Sequence, residues 1–158
     1  VYQQGTANKN YFAGRTQIGA GTDDGVSYLQ VNGKLAADSL LASGTGGIGY
    51  ATGAGGAVTQ VTSKATSVTL NKASGKVTLN AASLAAGAVV SFTLTNSTIA
   101  ASDVVTACIA SGATAGAYLA TVDAVAAGSC RVSLRNLSAA ALAEAVVLNF
   151  ALVKAVSA

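Results

Sequence analysis

Ala145 to Val156, AVVLNFALVKAV, is apolar on both sides when read as an extended chain. Successive side chains of a strand point to opposite faces. Val146, Leu148, Phe150 and Leu152 then point one way, and Val147, Ala151 and Val153 the other. A strand with one face in water alternates apolar with polar residues, whereas one apolar on both faces is covered on both. One face is therefore expected to fill the core of its own domain. The other is expected to meet a symmetry-related copy, which makes Val147, Ala151 and Val153 the candidate residues of a trimer interface and core.

The same period of two extends back to Ala57. It predicts strands at Val58–Val61, Ser67–Leu70, Lys76–Asn80, Ala88–Thr95, Val104–Ala110, Ala117–Val125, Ser129–Arg135 and Ala145–Val156. Short strands repeating every ten or so residues are the pattern of an all-β sandwich or jelly roll. A tight turn at Lys72-Ala73-Ser74-Gly75 is expected to join the second and third strands, SVTLN and KVTLN. Two departures from strand are expected. Ala81–Ala86 reads as one helical turn closed by Gly87, and Ser138–Ala143 as a short helix with Ser138 as its N-cap.

Ahead of the sandwich, Gly44–Gly56 reads GTGGIGYATGAGG and divides the chain. Glycine this dense costs backbone entropy, so the stretch is a hinge or a place of close backbone approach. Residues 1–56 are read as a shaft and neck, and residues 57–158 as the head. In the first part Thr16–Ile18 and Val26–Val31 read as short strands. Asn32-Gly33 is a strong hairpin signal because both residues tolerate positive φ. Lys34–Ala36 would return, and Ala36–Ser43 would form a helical turn or another strand. This part has almost no core of its own, and short hairpins are marginal alone. It is expected to pack on identical chains.

Composition supports self-association. Charged residues make up 9% of the 158, against roughly 25% in ordinary soluble domains. Apolar types reach 51% but are mostly Ala and Val. A surface so poor in charge is expected to be covered in part by copies of itself. The net charge of +3 is spread along the chain with few aromatics between the cations, which argues against a nucleic-acid surface. No apolar run approaches the ~20 residues of a membrane-spanning helix, and no membrane insertion is expected. Cys108 and Cys130 are too few for a disulfide framework and are expected as two buried or half-buried thiols. The chain does not begin with Met, so its numbering is expected to start inside a longer polypeptide.

Little catalytic chemistry is on offer. With no His in the sequence, neither a Ser-His-Asp arrangement nor a His metal site can be built, and two lone Cys do not make a zinc site. Gly44–Gly49 fits G-x-G-x-x-G by letter, but the dinucleotide fingerprint needs a strand before it and a helix after it. Asp23-Asp24 before Gly25 is turn chemistry. Asp103, Asp123 and Glu144 would have to be brought together by the fold or across subunits to act as a glycosidase pair. No enzyme activity, cofactor or metal is expected. Asn96-Ser97-Thr98 and Asn136-Leu137-Ser138 match glycosylation acceptors, a triplet that turn-rich β proteins produce by chance. Arg131, Ser133 and Arg135 line one face of the seventh strand. They are read as a small polar patch for surface glycans, with Tyr118 as a stacking platform.

A resemblance sharpens this reading. Thr16–Leu35, TQIGAGTDDGVSYLQVNGKL, resembles a unit common in bacteriophage tail fibres and tailspikes, where it marks short intertwined strands of a trimeric shaft. Asn8–Gly14, NKNYFAG, is similar to segments found just before such units. From Gly46 through the Gly87 region, and again at SGATAGAY, SCRVSLRN and EAVVLNFALVK, the chain is similar to a C-terminal module of phage and prophage structural proteins. The resemblance implies a homotrimer with an interwoven β stem and an eight-stranded, jelly-roll-like head. It also implies a place on the virion as a tail appendage, joined to other virion proteins on its N-terminal side. The head would attach to a host receptor, often a surface polysaccharide. The alternative is a head fibre or decoration protein on the capsid with a structural role alone. The long parallel β-helix of depolymerase tailspikes has no counterpart here.

Overall fold

The computed structural model describes residues 16–18, 29–31 and 47–156. The chain forms two compact units, Val1–Gly47 and Ile48–Ala158. In the first, β1 (Thr16–Ile18) and β2 (Leu29–Val31) pair in parallel, Gln17 opposite Gln30. The expected hairpin at Asn32-Gly33 and the segment Ala36–Ser43 lie outside the described residues.

The second unit holds eight strands at the positions that the alternation predicts. They are β3 (Ala57–Thr59), β4 (Val68–Thr69), β5 (Ser74–Thr78), β6 (Val89–Thr95), β7 (Val104–Ser111), β8 (Tyr118–Ala126), β9 (Ser129–Asn136) and β10 (Val147–Val153). They form two four-stranded mixed sheets, ordered β3-β5-β10-β7 and β4-β6-β9-β8. Each contains one parallel pair, β3 with β5 and β4 with β6. From β3 to β8 the chain changes sheet at every step, and only β8 and β9 follow one another within a sheet.

That shuttling corrects one expectation. The Lys72–Gly75 stretch does not make a hairpin of β4 and β5, because these strands lie in different sheets. Ser74 and Gly75 already belong to β5. Val68 and Val77 both turn into the core, from opposite sheets. The crossover is tight because glycine lines it. A Cβ on Gly75 would stand 2.6 Å from Leu70 Cδ2, 2.9 Å from the Gly56 carbonyl and 3.0 Å from Phe150 Cε1.

One core serves both sheets. Leu148, Phe150 and Leu152 of β10 meet Phe92 and Leu94 of β6 and Val132 and Leu134 of β9 within it. Val146, Leu148, Phe150 and Leu152 are all at most 6% exposed, as the double alternation of β10 requires.

Neither expected helical segment is helical. Leu84 and Leu142 form an isolated antiparallel bridge, each N–H donating to the other's carbonyl at 2.9 and 3.0 Å. The bridge satisfies the backbone that a helix would have satisfied internally, and it buries Leu84. Ser138 caps no helix; its hydroxyl donates to Asn136 Oδ1 at 2.7 Å.

The two Asn-x-Ser/Thr triplets turn out to be the same structural device used twice. Asn96 follows β6, Asn136 ends β9, and both are fully buried. Each Oδ1 accepts from the N–H and hydroxyl of the residue two places on, Thr98 at 3.0 and 2.7 Å and Ser138 at 2.9 and 2.7 Å. Such a turn lets a short polar side chain replace a backbone partner. The amide nitrogens reach further. Asn96 Nδ2 donates to the Lys72 carbonyl at 2.7 Å, and Asn136 Nδ2 is shared among the carbonyls of Leu84, Ala85 and Ala140. Asn96 thus ties the sheet crossover to β6, and Asn136 ties the Leu84–Leu142 bridge to β9.

Candidate functional site: the two outer sheet faces

The sandwich presents two outer faces, one with an apolar end and one that carries an ion pair and a row of hydroxyls. On the first, the register of β10 sets Val147 between Thr78 and Ser111, Asn149 between Lys76 and Cys108, and Ala151 between Ser74 and Thr106. Val153 stands opposite Val104. Val147 and Ala151 are half-buried within this single chain, while Val153 and Val104 are 57% and 56% exposed. At the Val153 end, Ile48 and Tyr50 continue the apolar surface at 70% and 48% exposure. The Tyr50 hydroxyl is anchored on the Leu152 carbonyl. Ile48, Tyr50, Ala151 and Val153 line an open hollow of about 500 Å³. The nearby Lys154 ammonium is drawn onto the Asp103 carboxylate at 2.6 Å. Asn149 and Lys76 are exposed in the middle of this face, so its apolar surface gathers at the Val153 end, and an exposed apolar patch of this kind marks an interaction surface.

Cys108 departs from expectation. It is exposed, because it sits on this outer face of β7, opposite the inward Val105, Ala107 and Ile109. Cys130 is buried as expected, and burial, followed by the Asp123 charge, pushes its thiol up to about 11. Both are free thiols.

The second outer face is polar along two of its three rows. Its rows run Thr93-Arg131-Asp123, Ser91-Ser133-Thr121 and Val89-Arg135-Leu119 across β6, β9 and β8. Arg131 grips Asp123 with two hydrogen bonds, Nε to Oδ1 at 2.6 Å and Nη2 to Oδ2 at 3.0 Å. These bonds hold the Asp123 carboxyl below its usual range. Both side chains are half exposed, so the pair contributes little to stability. Ser91 and Ser133 share a hydrogen bond of 2.8 Å. Arg135 is exposed between Val89 and Leu119, themselves 58% and 49% exposed.

Of the three residues read as a glycan patch, the structure brings Arg131 and Arg135 to one face and takes Tyr118 away. Tyr118 opposes Asn136 on the inward side of β8 and is 7% exposed. It belongs to the core and offers no stacking surface. Its hydroxyl is buried without a hydrogen-bond partner among the described residues. Burial, and then the nearby Glu144 carboxylate, raises it to about 12. The sequence held the signal for this orientation. Tyr118, Ala120 and Val122 alternate with Leu119, Thr121 and Asp123, and the polar members of the second set mark the outer face.

The carboxylates are separately engaged. Asp103 accepts from the Ala100 N–H at 2.8 Å and from Lys154, and these contacts lower its pKa. Glu144 accepts from the Thr114 hydroxyl at 2.6 Å and its N–H at 3.2 Å, and is lowered likewise. Asp123 belongs to Arg131. Among the described residues no three Cys, Asp or Glu side chains come together as metal ligands.

Sequence reasoning missed Lys64. It is 3% exposed, and its ammonium donates to the carbonyls of Asn80 and Glu144 at 2.5 and 2.6 Å. Burial lowers its pKa, partly offset by the Glu144 charge. It joins the loop before β4 to the segments after β5 and before β10. No short-range pattern marks a lysine that will be satisfied by carbonyls 16 and 80 residues away. Compared with protein-family models, curated proteins and solved structures, the chain matches none.

Proposed function

We propose that the chain is the distal part of a trimeric phage tail fibre or tailspike. Residues before the sandwich form its stem, and the sandwich is a jelly-roll-like head that trimerises and attaches the virion to a bacterial surface. The observation that carries this reading is the outer face of β10. Ala151 and Val153 lie there beside exposed Val104, Ile48 and Tyr50, with Val147 at the far end of the strand, on a chain with very few charges to solvate them. Identical copies packed through this face would cover it. The polar face bearing Arg131 and Arg135 is then left facing outward, toward surface glycans. The resemblance of Thr16–Leu35 to phage shaft units supports the same assignment.

Fluorescently labelled protein should bind intact bacteria of a susceptible strain and compete with phage adsorption. Arg131→Ala with Arg135→Ala should weaken that binding at least ~10-fold, the loss of about 1.4 kcal/mol. Binding to empty capsids, with none to cells, would instead place the chain on the capsid as a structural appendage.

A further inference from the structure

The four edge strands of the sandwich are not equally protected. Open edges invite pairing with another chain, and natural proteins blunt them by shortness, charge or bulges. β3 and β4 are three and two residues long. β8 is longer, but it carries Asp123 and shifts register between Asp123 and Ala126, with Ala124 in the left-handed region at φ 47°. Bulges of this kind end pairing and twist an edge away.

β7 has much less protection. Val104–Ser111 reads VVTACIAS, with no charge, no Pro and no Gly. Its pairing with β10 is continuous from Val104 to Ile109, and the irregularity falls at its far end. β8 of the other sheet runs close beside it, but among the described residues no strand other than β10 hydrogen-bonds to it in a ladder. On its outer face Val104, Thr106 and Cys108 are exposed, and Val104 stands beside exposed Val153 of β10.

We infer that β7 is a sheet edge that takes a strand from a second copy of this chain, so that the sheet continues from one subunit into the next. The inference rests on the self-association proposed above and adds the element that makes the contact. A second copy is the fitting occupant because an uncharged edge neither steers toward nor repels a charged partner, while main-chain pairing needs only another extended segment. The surface also suffices. From strand length and spacing, the β7 edge and the outer face of its sheet together offer roughly 700 Å², close to the ~800 Å² per partner of stable interfaces. Closing a ring of three requires β7 to meet a different element of its neighbour, because β7 against β7 would generate a twofold.

Hydrogen exchange on the full-length native protein, with light scattering on the same sample, tests the contact. In a three-chain assembly, the β7 amides turned away from β10 should exchange on the order of 100-fold more slowly than those on the open edge of β8. Cys108 should react slowly with a thiol reagent while assembled and readily after dilution into monomer, with buried Cys130 as the internal control. Thr106→Lys, a change at an exposed site, should keep the far-ultraviolet spectrum and raise the concentration needed for assembly at least ~10-fold. A trimer whose β7 amides exchange like those of β8 would overturn the edge contact and leave the trimer standing. A dimer with protected β7 would keep the contact and overturn the trimer. Protection of β7 in a monomer would overturn the inference, because the chain itself would then cover the edge.

Discussion

Asn136→Ala should destabilise the protein by about 4 kcal/mol, read as a drop in the urea midpoint with an unchanged slope. The side chain is fully buried and serves five hydrogen bonds, three from its amide nitrogen to carbonyls and two to its oxygen from Ser138. Alanine would leave the carbonyls of Leu84, Ala85 and Ala140 without that donor. Each carbonyl keeps a second donor, the N–H of Leu142, the N–H of Ala88 and the Ser138 hydroxyl. The cost is therefore the net loss of the side chain's own hydrogen bonds, about 1 kcal/mol each, still a large part of the 5–15 kcal/mol that holds a typical domain folded. Ser138→Ala removes only the hydroxyl and should cost about 1 kcal/mol. Equal effects of the two changes would mean that Asn136 acts only as a turn former.

Gly75→Val should be the more severe change, leaving little folded protein, and Gly75→Ala should cost about 3 kcal/mol. The backbone here is ordinary; space is what is missing. The new Cβ meets the Leu70 side chain, the Gly56 carbonyl and the Phe150 ring together, so no single neighbour can yield. Gly87 provides the control. Its φ is +69°, and a Cβ there would meet nothing within 4 Å. Gly87→Ala should cost only the ~1 kcal/mol of a strained backbone. Thermal unfolding of the three variants separates close approach from conformational strain. If Gly75→Ala were as mild as Gly87→Ala, the tight crossover between the sheets would be wrong.

Much of this architecture was legible in the sequence. The period of two located all eight strands of the sandwich, because alternation reports which side chains meet a core, whatever lies on the other side. It could not assign strands to sheets. Val68 and Val77 look alike in sequence yet enter the core from opposite sheets, since alternation carries no information on which sheet a strand joins. The helical turns expected at Ala81–Ala86 and Ser138–Ala143 failed for a related reason. Their local composition favours a helix, but Leu84 and Leu142 bond to each other across 58 residues, the difference of their numbers. Tertiary pairing overrides weak propensity. For the candidate sites the result divides by face. Val147, Ala151 and Val153 share the outer face of β10 as the alternation required. Tyr118 was grouped with Arg131 and Arg135 for its aromatic character, against the alternation of its own strand.

Self-association is the central claim, and the native mass tests it most directly. Light scattering on the purified chain at micromolar concentration, and again after large dilution, should return three chains at both. The exposed apolar patch of Val153, Val104, Ile48 and Tyr50 is expected to be covered by a partner. A single-chain mass at both concentrations would contradict the account, and would leave that patch as solvent-exposed surface.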